Sequence, residues 1–246
     1  MTRSVSAFFC NGKRSGKKFE NRNCNQTAGP RTSYRILYVL CLLTFLATGT
    51  QAAITLPKIF TDNMMVQRDK AFKVWGRADR GETVTIQFNG QIIRSRADKN
   101  GSWLAVLTPM KYGGPFELSI TAKSGHLLFK NVLIGDVWIC SGQSNMEWAL
   151  KNTNNATREM VESKYPAIRL FTVTKSTAFS PQDDFSGGEW LECNPKNIAD
   201  FSAVAYFFGR KLNKDLDVPI GLINASWGGT NIQTWISWDV MGKDDQ

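Results

Sequence analysis

A chain of 246 residues, 42% hydrophobic and 21% charged, is long enough to bury one or two cores. Its formal charge of +9 is lopsided: residues 1–35 carry eight Lys/Arg (Arg3, Lys13, Arg14, Lys17, Lys18, Arg22, Arg31, Arg35) against one acid, Glu20, which leaves +2 for the rest. Nucleic-acid binding therefore has no footing outside a possible basic tail, and five cysteines, three of them early (Cys10, Cys24, Cys41), with no ligand spacing, exclude a disulfide scaffold and a metal site.

After Arg35 comes an apolar run, Ile36 to Ala47, followed by small residues up to Ala53. A basic flank, a short apolar core and a small-residue exit predict a secretory signal peptide cut near Ala52 or Ala53, hence an exported, periplasmic or extracellular product. A spanning helix wants about twenty apolar residues, so an uncleaved anchor is the lesser alternative and no stable membrane anchor is expected. Leu40 before Cys41 argues against lipid attachment. The long stretch ahead of the apolar core suggests a true start near Arg35.

From Ile54 to about Lys130 short strands follow one another. Val84, Ile86 and Phe88 alternate on one face, Asn89-Gly90 turns the chain into Gln91–Arg96, and Asn100-Gly101 turns it into Ser102–Leu107. Phe116, Leu118 and Ile120 repeat the pattern. This region, 54–130, is predicted to be an all-β sandwich preceding a second domain; it either binds sugars or serves as a structural partner.

Residues 131–246 read as strands alternating with helices. Val132–Ile139 is an apolar strand that ends at Ser141-Gly142-Gln143-Ser144-Asn145, with a helix starting near Met146. Ile168–Val173 is a strand, 176–197 a polar surface loop, Asp200–Asp215 a helix and Ile220–Ile223 a buried strand. The pattern predicts an α/β sheet with ligands at the carboxyl ends of its strands. Cys140, at the end of the strand before the turn, reads as a packing residue.

Two turns carry the chemistry. Ser144, beside Gly142 on a tight strand-to-helix turn, is placed as hydrolases hold a nucleophilic serine; the plainer alternative is that it N-caps the helix. Trp227-Gly228-Gly229-Thr230, about 85 residues on, offers backbone N–H groups at the end of a strand. Gly229, with Gly228 as second choice, suits an oxyanion hole; an ordinary turn is the alternative. Gln143, Asn145 and Trp227 are candidate substrate contacts. Trp148 and Trp235 offer aromatic faces to a sugar or to the core.

Gly142-Gln143-Ser144-Asn145-Met146, followed by Pro219-Ile-Gly-Leu-Ile-Asn224-Ala-Ser-Trp227-Gly-Gly-Thr230, resembles the nucleophile and oxyanion blocks of SGNH-type hydrolases, in the branch containing the sialate O-acetylesterases. The resemblance spans Leu56 to Trp238. It implies an SGNH/flavodoxin-like parallel sheet and a serine esterase that removes O-acetyl groups from sialic acid without cofactor or metal. Acetylated xylan or another plant glycan is the close alternative substrate; a non-catalytic carbohydrate-binding relative is the other reading. It also implies a late Asp-x-x-His block. The sole histidine, His126, precedes Ser144 in a predicted hairpin turn and reads as a surface residue. The chain is accordingly expected to be the front part of a longer enzyme, inactive alone.

Overall fold

The computed structural model describes residues 53–241; the basic leader and the apolar run lie outside them. After β1 (Met65–Gln67), strand β2 (Phe72–Arg77) pairs antiparallel with β5 (Ser102–Leu107) as a separate ribbon. Strand β3 (Thr83–Phe88) buries Val84, Ile86 and Phe88, as alternation requires. Asn89 and Gly90, both at positive φ, turn it into β4 (Gln91–Arg96). The inner side chains of the ribbon, Val74, Trp103, Ala105 and Leu107, share one core with β3 and with Leu118 and Ile120 of β6 (Gly113–Ala122).

The next strand decides the architecture. β7 (Gly125–Gly142) runs for 18 residues, antiparallel to β6 at its start and parallel to β10 (Ile220–Ser226) at its end. Asn131 sits within it at φ 56, next to a register shift against β6. Asn tolerates the left-handed region better than most residues, and a bulge of this kind bends a strand and changes its pairing. The expected boundary between residues 130 and 131 thus falls inside a continuous strand. Among the described residues one eight-stranded mixed sheet, ordered β4-β3-β6-β7-β10-β8-β9 with β1 added parallel to β7, runs through both the β-rich and the α/β parts.

The parallel portion comprises β7, β10 and β8 (Tyr165–Thr172); β9 (Trp190–Cys193) adds antiparallel to β8. β10, the third of the parallel strands in sequence, lies between the first and second. A flavodoxin-like order starts 2-1-3 with the first strand in the middle, so that expectation is corrected among the described residues. β9 also falls inside the stretch expected to be loop. Its four residues are too short to show alternation, and Trp190 is fixed by long-range packing on Phe171, ring centroids 5.2 Å apart.

Helices are few. α1 (Ser144–Glu147) is a single turn and α2 (Ala156–Glu162) covers two. α3 (Ala203–Leu216) starts where the Ser202 hydroxyl accepts the Ala205 N–H at 3.2 Å and ends at Asp217, φ 53. It lays Ala205, Tyr206 and Gly209 on Ile220 and Leu222 of β10, closing a second core. α4 (Trp238–Met241) follows a 3-10 turn at Ile232–Trp235. Among the described residues no helix is long and apolar enough to cross a membrane.

Candidate active site

The two motif turns leave the sheet side by side. β7 and β10 are parallel and in register from Ile220↔Asp136 to Ser226↔Gly142, and the Trp227 N–H extends the ladder by donating to the Gly142 carbonyl at 2.9 Å. Both chains therefore turn at the carboxyl end of the sheet, on neighbouring strands. Gly142, at φ 147, makes the first turn in a conformation that strains other residues. A Cβ added to Gly228 would stand 3.3 Å from the Ser144 Oγ and closer still to the Glu147 carboxylate, so glycine suits this close approach of loop to serine.

Ser144 is the first residue of α1, with Gln143 at the cap position and no side-chain capping bond. The capping alternative is thereby removed. The serine is exposed, and its hydroxyl makes no hydrogen bond among the described residues. Gln143 and Asn145 flank it, and with Met146 and Val204 they line an open depression of about 540 Å³. A second depression of about 640 Å³ shares Asn145 and Val204 with the first and reaches Trp148, which is 53% exposed and anchored by its Nε1–H to the Asn152 carbonyl at 3.1 Å. This tryptophan thus presents a ring to solvent instead of joining the core.

The two glycines differ. Gly229, at φ 78, is exposed, has open space around its Cα, and its N–H has no acceptor among the described residues. The Gly228 N–H donates to the Glu147 carboxylate. Gly228 is therefore not a free oxyanion donor here, which corrects its place as second choice; its contribution is close approach. The loop is held by the Thr230 hydroxyl, which donates to the Trp227 carbonyl at 2.7 Å and accepts from the Trp235 Nε1–H at 3.0 Å. That contact gives Trp235 a structural task.

Glu147 and Lys175 are the residues sequence reading passed over. Glu147 lies one helical turn after Ser144, and its other oxygen meets the Lys175 ammonium. Lys175 in turn stands 5.7 Å from the centre of the Trp227 ring. The lysine beside it and the Gly228 N–H hold the Glu147 carboxyl below its ordinary value. The spacing from Ser144 to Glu147, three residues, was a signal available in the motif; Lys175, at the start of a polar loop, gave none. Cys140 is buried, and burial pushes its thiol up to about 11, in keeping with a packing role.

His126 is remote. It sits on β7 sixteen positions before Gly142, which at strand rise is on the order of 50 Å away. Its Nε2 lies 3.0 Å from the Ser119 Oγ on the outer face of the β6–β7 hairpin. It cannot serve Ser144 within one chain. Among the described residues no three His, Cys, Asp or Glu side chains gather as a metal site.

Comparison with known proteins bears on this geometry. Residues 134–243, which contain both turns, match the family model described as carbohydrate esterase, sialic acid-specific acetylesterase. Over that stretch the chain is similar to this family. Mouse sialate O-acetylesterase is 35% identical over 198 residues, covering 72% of this chain and 37% of the relative; the rat protein is 33% identical over 220 residues, covering 82% and 41%. The chain thus spans about two-fifths of the length of these curated relatives. A solved carbohydrate acetylesterase from Xanthomonas citri superposes with a TM-score of 0.76 at 35% identity, over 77% of this chain and 44% of that one.

Proposed function

We propose that the protein is an exported carbohydrate O-acetylesterase acting on O-acetylated sialic acid, with Ser144 as its nucleophile. The observation that carries this reading is the parallel register of β7 and β10, which sets the exposed Ser144 hydroxyl beside the Gly228–Gly229 loop. In this mechanism the Ser144 oxygen attacks the acetyl carbonyl. The carbonyl oxygen, now carrying the charge, accepts from the free N–H of Gly229 and from that of Ser144. The tetrahedral species collapses to an acetyl-enzyme as the sugar hydroxyl leaves, and water then releases acetate. The serine proton needs a base, for which a late Asp–His pair of the kind the family resemblance implies is the expected source. Gln143, Asn145 and Trp227, at the rim of the site, are the proposed contacts to the sugar.

The Xanthomonas relative is described only as a carbohydrate acetylesterase, so an acetylated xylan or other plant glycan is kept as the second substrate. Acetate release from 9-O-acetyl-N-acetylneuraminic acid and from acetylated xylo-oligosaccharides, measured on a version carrying the late block, separates the two. Ser144→Ala in that version is expected to lower release by about a thousandfold or more while leaving the circular dichroism spectrum unchanged. Near-normal release would remove Ser144 from its role. The 246-residue chain alone is expected to show little turnover of 4-nitrophenyl acetate, because a serine without a base is a weak nucleophile.

A further inference from the structure

A second cavity, of about 400 Å³, lies on the β-rich part, walled by Thr55, Trp75, Gly76, Arg77, Trp103 and Asp183. None of these belongs to the Ser144 site. The volume falls in the range of small-molecule sites, and the wall combines three chemistries. Trp75 points outward from β2 and is 41% exposed, yet its ring is steadied by Phe60, edge-on with centroids 5.1 Å apart. It is a fixed aromatic face open to solvent.

Donors and acceptors stand beside that face. Arg77 is exposed, with one N–H given to the Asn100 carbonyl at 2.7 Å and the rest of its fork free to donate. Asp183 is exposed and makes no hydrogen bond among the described residues. Its loop is pinned in place by the neighbouring Asp184, whose carboxylate accepts the Lys58 N–H at 3.2 Å, and by the Lys58 ammonium, which donates to the Phe185 and Ser186 carbonyls. The acceptor is therefore positioned, not trailing in solvent.

Trp103 holds an unanswered donor. It is 4% exposed, and its Nε1–H is buried without an acceptor among the described residues. The Cζ2 of the same indole edge lies 3.1 Å from where a Cβ would stand on Gly76, and Gly76 is part of the cavity wall. The Thr55 carbonyl stands across the same Gly76 position, so the indole edge lies behind backbone and not at the open wall.

We propose that this cavity binds a neutral sugar ring, stacked by its C–H face on Trp75, with hydroxyls shared between Arg77 and Asp183. The lining carries one guanidinium and two carboxylates, Asp183 and Asp184, while the nearby Lys58 ammonium is engaged by the Phe185 and Ser186 carbonyls, so neither a phosphate nor the carboxylate of a sialic acid is the preferred ligand. A face for C–H groups with flanking polar groups of both kinds matches a polyhydroxylated ring better than an apolar peptide side chain, which would leave those groups unpaired. The proposal stands independently of the esterase reading. A non-catalytic grip on uncharged glycan would hold the chain near a polymer whose acetyl groups are removed elsewhere on the molecule.

The test is calorimetric and NMR titration of the 246-residue chain with xylotriose, cellotriose and methyl β-galactopyranoside, with N-acetylneuraminic acid as the anionic comparator. At least one neutral saccharide is expected to bind more tightly than the anion. Trp75→Ala should weaken it about tenfold and Asp183→Asn several-fold. Asp183 is exposed on a loop, so its variant reports on binding even if a tryptophan variant unfolds. Ser144→Ala should bind as the parent does. Absence of saccharide binding, binding indifferent to both Trp75→Ala and Asp183→Asn, or an anion preference that these two variants remove would overturn the proposal. Loss of binding in Ser144→Ala would assign the saccharide to the other site, overturning this proposal while leaving the esterase reading intact.

Discussion

The antiparallel region around β3, β6 and the first half of β7 buries its inner face in the first core, whereas the parallel region around β7, β10 and β8 leaves one side of the strand that leads to Ser144 bare. In the first, Val84, Ile86, Leu118 and Ile120 are wholly buried. In the second, Ile139 is 72% exposed, and Trp138, stacked edge-on with Phe208 at 5.1 Å, is 44% exposed. From Ile139 to Gly142, β7 pairs with β10 on one edge and with no strand on the other among the described residues. An unpaired edge and open apolar surface contribute little to local stability. The candidate chemistry thus lies beside an edge of β7 that the described residues leave unpaired, and a single strand joins the two regions.

That joining strand makes the contrast testable. Leu118→Ala hollows the antiparallel core and is expected to cost about 2–5 kcal/mol. Because β7 belongs to both regions, urea unfolding of this variant should shift as one transition, followed alike by far-UV circular dichroism and by tryptophan fluorescence. Two separated transitions would show that the regions fold independently and that the shared strand does not couple them.

A smaller loss is expected at the bulge. The Asn131 Nδ2 donates to the Asn63 Oδ1 at 2.8 Å and to the Glu192 Oε1 at 2.7 Å, and its Oδ1 accepts from the Arg169 Nη2 at 3.1 Å. Arg169 is buried, and burial lowers its pKa while Glu192 opposes the shift, so its guanidinium relies on such neighbours for the hydrogen bonds that water would otherwise supply. Asn131→Ala removes these three hydrogen bonds and puts a Cβ-only residue at φ 56. The expected cost is about 2–3 kcal/mol, read as a lowered urea midpoint. Asn131→Gly, which relieves the backbone but not the polar loss, should recover part of it.

These residues also mark what the sequence discloses. β3, β4 and β5 match their alternating runs, because period-2 burial and the Asn-Gly turns are local. Both turns of the site were readable from glycine placement, and their adjacency follows from the parallel pairing. What was hidden is non-local. Asn131 looks like a boundary in sequence and is a bulge in space, and β9 acquires its conformation only from β8. The strand order, which puts β10 between β7 and β8, is set by the packing of α3 and of the second core, not by any one segment. The Gly228–Glu147 bond was equally invisible, since it joins residues 81 apart.

The smallest effect, and the one closest to the proposed chemistry, concerns Glu147. With Lys175 and the Gly228 N–H bound to it, its carboxyl is held below the ordinary 4.5. A carboxylate depressed in the folded state stabilises that state above its unfolded pKa, and the contribution disappears as pH falls through the folded pKa. Glu147→Gln should therefore be slightly less stable than the parent at pH 7, and the gap should close as pH drops well below 4.5. A gap unchanged down to about pH 3 would mean that the carboxylate's charge plays no part. The amide oxygen that Glu147→Gln introduces is a weaker acceptor than a carboxylate, so the same variant loosens the Gly228 N–H. Amide hydrogen exchange at Gly228 should then quicken while exchange at Leu222 in β10 stays as it was, which would locate the effect in the loop and not in the sheet.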